Sequence, residues 1–259
     1  MDLDPLDLAR LSRDVGQAWR EWVILAEGNL SSRATPESMY VKASGRQMVD
    51  ARPTDFLEVK FGPLLALLDN DAAGDAEVAE TFAQAGRGDS KPSVESLLHA
   101  VCQTIGGARV VLHTHPVAVN AILCSDQAPA LVNGSVFPDQ VVVLGPAQLL
   151  VPYTDPGLTL ARLARRELSD HIDRHGEAPK AIYLRNHGMF ALGQSSVEVM
   201  NITAMACKTA QVITGALAAG SVVYLAPADV QRLHRRDDEI SRRAELLRGS
   251  QRVPIDVER

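Results

Sequence analysis

Arg109-Val-Val-Leu-His-Thr-His-Pro116 is an apolar run that closes on two histidines. Such a run bounded by a proline reads as a buried strand, here Arg109–His113. On a strand, side chains two apart leave the same face, about 6–7 Å from each other. His113 and His115 therefore form a pair able to share one ion. Upstream, Lys91-Pro-Ser-Val-Glu-Ser-Leu-Leu-His99 opens an amphipathic helix over Ser93–Ile105. Val94, Leu97, Leu98, Val101 and Ile105 fall on one stripe, Pro92 suits its start and Gly106-Gly107 its end. Glu95 lies in the first turn, where the helix dipole favours an ionised acid. Downstream, strands Ala181–Leu184 and Met189–Leu192 flank Asn186-His-Gly188, whose glycine permits close approach. A third imidazole and a carboxylate complete the ligand number of an open, catalytic metal site. His99, four residues after Glu95, could be a ligand, but reads better as a supporting partner or a satisfied core histidine.

The remaining pattern is mixed. Leu6–Ala26 reads as a helix, Glu27–Ser32 as a turn, and Met39–Ala43 and Phe56–Phe61 as strands. Residues 69–89, rich in Ala, Gly and acids, suggest a surface loop or insertion with a short helix at Glu77–Gln84. Val117–Leu123 continues as helix, and Gln140–Val151 holds one or two strands. Leu158–Arg174, Val197–Ala219 and Pro227–Leu247 read as helices. His171, His175 and His234 sit on charged helical segments and are expected at the surface. The alternation implies a single α/β layered domain spanning 1–259. Its core covers about residues 6–219, and 220–259 form a C-terminal helical extension.

Composition narrows the function classes. A chain of 259 residues, 46% hydrophobic but 4% aromatic, supports an aliphatic core. Net charge of −6 argues against a general nucleic-acid surface. Cys102, Cys124 and Cys207 are odd in number and widely spaced, so they read as buried small hydrophobes in a reducing cytoplasm. The acidic N-terminus lacks a secretory apolar region, and Val197–Ala219 is too polar for a membrane span.

In order, Glu27-Gly-Asn-Leu-Ser31, Lys42-Ala-Ser-Gly45, Lys91-Pro-Ser-Val-Glu95, His113-Thr-His115 and Asn186-His-Gly188 resemble the motifs of the class II aldolase/adducin family, over roughly Leu6 to Ala219. The resemblance implies a three-layer α/β/α sandwich with a mostly antiparallel central sheet, and commonly a homotetramer with active sites between subunits. It implies zinc, or another divalent metal such as Mn²⁺ or Co²⁺, held by His113, His115 and His187. Glu95 carries over as ligand and acid/base. Asn29, Ser44, Gly45 and Ser93 carry over as phosphate-binding positions, and Lys42 matches a lysine of the epimerase branch. A neighbouring chain supplies a proton donor, for which Tyr153, Tyr224 and, less strongly, Asp139 are candidates. Two departures count. Val94 stands where many phosphate-using members have a second serine, and Glu95 stands where the epimerase branch has Asp.

A zinc-dependent lyase is therefore expected, cleaving a small sugar phosphate or hydroxy-keto acid by retro-aldol chemistry through a metal-stabilised enediolate. Glu95 would move the proton at carbon. An epimerase or decarboxylase on the same scaffold, or a non-catalytic adducin-like module, is the alternative.

Overall fold

Seven strands build one sheet in the computed structural model, which describes residues 3–249. They are β1 (Asn29–Thr35), β2 (Ser38–Lys42), β3 (Phe56–Lys60), β4 (Val110–Thr114), β5 (Leu149–Val151), β6 (Ala181–Leu184) and β7 (Gly188–Gly193). Their order is β3-β2-β1-β4-β7-β6-β5, antiparallel throughout except for the parallel edge pair β5–β6.

Helices cover both faces. They are α1 (Pro5–Val15), α2 (Phe61–Asp69), α3 (Asp75–Gln84), α4 (Ser96–Thr104), α5 (Val117–Leu123), α6 (Pro138–Leu144), α7 (Leu158–His175), α8 (Ser196–Ala219), α9 (Pro227–Arg235) and α10 (Asp237–Gly249). Strand side chains alternate between the two cores, as the period of two requires. Val111, Phe190, Leu192 and Ile182 pack beneath α2, α3, α4 and α7. Val110, Leu112, Met189, Ala191 and Tyr183 pack against α1, α5 and α8. The three-layer sandwich expected from the sequence is thus the observed fold, with β4 buried at its centre.

Several elements differ from expectation. The first helix stops at Val15, because Gly16 passes so close to Val49 that a β-carbon there would lie 2.4 Å from its backbone nitrogen. Trp22 and Val23 still reach the core, but from a loop. Residues 29–32, read as a turn, begin β1, whose polar Ser31 and Ser32 are wholly buried between β2 and β4. In place of strands near residue 140, α6 begins at Pro138 and ends before Gly145 at φ 79°. Proline and glycine outweighed the strand preference of the valines. Residues 69–89 are not merely a loop: α3 sends Val78 and Phe82 into the core. The last charged segment breaks at Arg236 into α9 and α10, and residues 250–259 of the expected extension lie outside the described ones. By length and composition α8 passes for a membrane span, yet its Val199, Ile202, Ala206, Ala210 and Ile213 are packed on the sheet.

Candidate metal centre

One row of side chains crosses the sheet here. Asn29 of β1, His113 of β4 and Phe190 of β7 are in direct register and share a face. His113 stacks on Phe190, with ring centroids 4.2 Å apart. Its Nδ1 lies 3.0 Å from the carbonyl oxygen of Met189 and donates to it, leaving Nε2 to face outward toward the other donors. His115 follows on the same side, its Nε2 2.9 Å from that of His113. Its Nδ1 faces the Glu27 carboxylate at 3.6 Å.

His187 arrives from the turn between β6 and β7. Asn186 adopts a left-handed φ of 56°, and its N–H donates to Leu123 O. Asn120 of α5 donates its amide to His187 O at 3.0 Å. Gly188 lets this turn press against β4: a β-carbon there would lie 2.5 Å from Thr114 O. The fourth group, Glu95, precedes α4. Its Oε1 lies 3.1 Å from Nε2 of both His113 and His187.

These four donors lie within 4.8 Å of one another. Ligands at 2.0–2.1 Å around a tetrahedral ion stand about 3.3 Å apart, so the set fits a divalent cation. Protonation states agree. Burial would raise the Glu95 pKa, but the charge and hydrogen bonds of His113 and His187 outweigh it and hold the carboxyl well below the usual range. Burial, helped by the neighbouring imidazoles, lowers His115 to about 3 and keeps it neutral, the form that ligates.

The expected substrate positions gather beside the centre. Ser44 N donates to Lys91 O and Ala43 bridges Pro92, which zips the exposed Ser44-Gly45 turn to Ser93. Lys42 is 2% exposed and donates to Arg46 O at 2.5 Å; burial lowers its pKa to about 8, opposed by Asp55 and Glu95. Asn29 does not stand free. Its Nδ2 donates to Glu95 Oε2 at 2.6 Å and its Oδ1 meets His99. The proton-donor candidates are not gathered here. Tyr153 meets Asp155, Tyr224 donates to Ala130 O across Gly134, and Asp139 pairs with Arg242.

Two expectations about other side chains need correction. His171, expected at the surface, is 2% exposed, because α7 turns it inward against His175. Cys124 is exposed, unlike the buried Cys102. Glu27, Ser31, Gln103 and Asn120 went unremarked as supporting residues. Only Glu27 and Ser31 lay in a recognised motif, and the roles of all four depend on distant chain.

A model described as the class II aldolase and adducin N-terminal domain matches residues 7–214. Methylthioribulose-1-phosphate dehydratase of Geobacillus kaustophilus (strain HTA426) is 32% identical over 189 residues, 70% of this chain and 78% of that protein. An uncharacterized oxidoreductase, YuxG of Bacillus subtilis (strain 168), is 28% identical over 180 residues, 65% of this chain. The chain spans only 24% of it. The solved structure of an L-fuculose 1-phosphate aldolase superposes with a TM-score of 0.63 at 17% identity, covering 88% of this chain and 94% of that one.

Proposed function

The chain belongs to the class II aldolase and adducin family, and from that premise we propose a metal-dependent lyase acting on a small phosphorylated ketose or hydroxy-keto acid. The carrying observation is a carboxylate oxygen 3.1 Å from two imidazoles of a three-histidine cluster. His113, His115, His187 and Glu95 would hold zinc, with Mn²⁺ or Co²⁺ as alternatives. Such an ion supplies Lewis-acid polarisation of the substrate's carbonyl and hydroxyl oxygens.

Glu95 moves the proton. Kept ionised by its neighbours, it takes the proton from the carbon beside the carbonyl. The electron pair left behind expels the hydroxyl on the next carbon, which departs as water with that proton. The exposed Ser44-Gly45 turn and Ser93 receive the substrate's anionic end, and Lys42 supplies a nearby positive charge. Dehydration is put first because the relative at 32% identity bears a dehydratase's name. Retro-aldol cleavage is the second reading, favoured by the same donor set, which equally suits breaking the carbon–carbon bond. The proposal includes a homotetramer whose neighbouring chain supplies a proton donor, and a reducing cytoplasm, which the three free cysteines suit.

Methylthioribulose 1-phosphate and L-fuculose 1-phosphate are the probes, with zinc-loaded protein and products read by mass spectrometry. Dehydration gives one product lighter by a water; retro-aldol cleavage gives two fragments. Glu95→Gln is expected to lower kcat by about 10²–10⁴-fold. Full activity in that variant would overturn the role of Glu95.

A further inference from the structure

We propose that Gln103, Ser31, His99 and Asn29 form a one-way hydrogen-bond relay that aims the Glu95 carboxylate, which makes His99 and Asn29 positioning residues for the acid. This rests on Glu95 being the acid of the centre, and it assigns a purpose to a polar chain buried beneath it. The four side chains are between 0% and 3% exposed. Burying that many polar groups costs free energy unless each is partnered.

The direction of every bond follows from one end. An ionised carboxylate only accepts, so the Asn29 atom 2.6 Å from Glu95 Oε2 is the amide nitrogen. Asn29 Oδ1 therefore faces His99, and His99 Nε2 must carry the proton between them. Wholly buried, His99 stays a neutral imidazole, so Nδ1 is the acceptor and the Ser31 hydroxyl 2.7 Å away donates to it. Having spent its proton there, Ser31 Oγ accepts from Gln103 Nε2 at 2.8 Å. Reversing the His99–Asn29 bond would turn Asn29 Oδ1 toward Glu95 and set two acceptors against each other. Phe190 meets the His99 ring edge-on at 5.3 Å and leaves it little room to turn.

The consequence is geometric. With Oε2 gripped by Asn29, Oε1 is the oxygen turned to His113 and His187. Asn29 spends one N–H and its Oδ1 on this task and keeps a second N–H toward Ser93, whose Oγ is 3.5 Å away.

Long-range proton–nitrogen NMR of the histidine side chains in the full chain tests the direction without any variant. A neutral His99 protonated at Nε2 is expected; a proton on Nδ1, or on both nitrogens, overturns the relay. Zinc affinity by chelator competition, with the absorption spectrum of the cobalt-loaded protein, tests the purpose. His99→Phe is expected to weaken zinc by about 10–100-fold and to alter the cobalt spectrum. His99→Gln, whose amide can still donate to Asn29, is expected to restore most of both. Equal losses in the two variants, or no loss in either, would leave His99 as packing alone and overturn the proposal. If the wild type takes up no zinc, the tautomer still decides. None of these readouts needs turnover, so failure of the relay and failure of the lyase reading are distinguishable.

Discussion

Gly188 has no room for a β-carbon. One built there would lie 2.5 Å from Thr114 O and 2.6 Å from the His115 ring, on the strand that carries two of the four donors. Gly188→Ala is expected to cost about 1–3 kcal/mol of stability and to lower zinc uptake as His115 is pushed aside. Urea melts in chelator isolate the first effect and metal analysis reads the second; a variant unchanged in both would refute the contact. His113 and His115 were legible in the sequence because a strand's period of two fixes their common face. His187 was legible through Gly188. His99 was left between two roles, since a spacing of four from Glu95 says that they share a helix face but not that β1 lies against it. Glu27 lay in a recognised motif, but its approach to His115 was not legible: it depends on the chain reversal over residues 16–28, which no periodicity announces.

At the scale of elements, α7 carries a group that resists protonation. Burial, with His175 and Arg174 adding repulsion, lowers the His171 pKa to about 4 from its ordinary 6.5. Between those values the unfolded chain takes up a proton that the folded chain refuses, so this contribution to stability is full above about pH 6.5 and is lost as the pH falls toward 4. His171→Gln is expected to flatten the stability slope across that window relative to wild type, as read by urea melts at several pH values. Parallel slopes would deny His171 its part. Long helices such as α7 and α8 could be read from their apolar spacing almost to the residue. Short elements could not. Asn29-Leu-Ser-Ser32 resembled a turn because its serines look like solvent groups, whereas Ser31 serves the buried His99 and Ser32 accepts from Leu3 N. Residues 138–144 resembled a strand because valine fits either state, and tertiary context chose.

Across the whole molecule, the centre ties the sheet to its surrounding layer. Its donors come from the start of α4, the end of β4 and the β6–β7 turn, so an ion held there clamps elements that the unfolded chain keeps apart. Zinc at 100 times its dissociation constant is expected to stabilise the fold by about 2.7 kcal/mol. The increment should vanish on chelation and in His113→Ala. Scanning calorimetry with and without zinc measures it, and identical melting in both conditions would mean that no such clamp exists. A layered α/β domain was visible in the order of strand-like and helix-like segments, and its three layers through the family resemblance. The strand order was not, because nothing local tells β4 to lie between β1 and β7. That placement also has a kinetic meaning. β1, β2 and β3 form a local meander that can zip early, whereas residue 113 must find residue 29 on one side and residue 190 on the other. Closing such distant pairings is slow. In a chain whose meander pairs first, the imidazoles would converge only with the last strands, and an ion taken up there would report that they have docked.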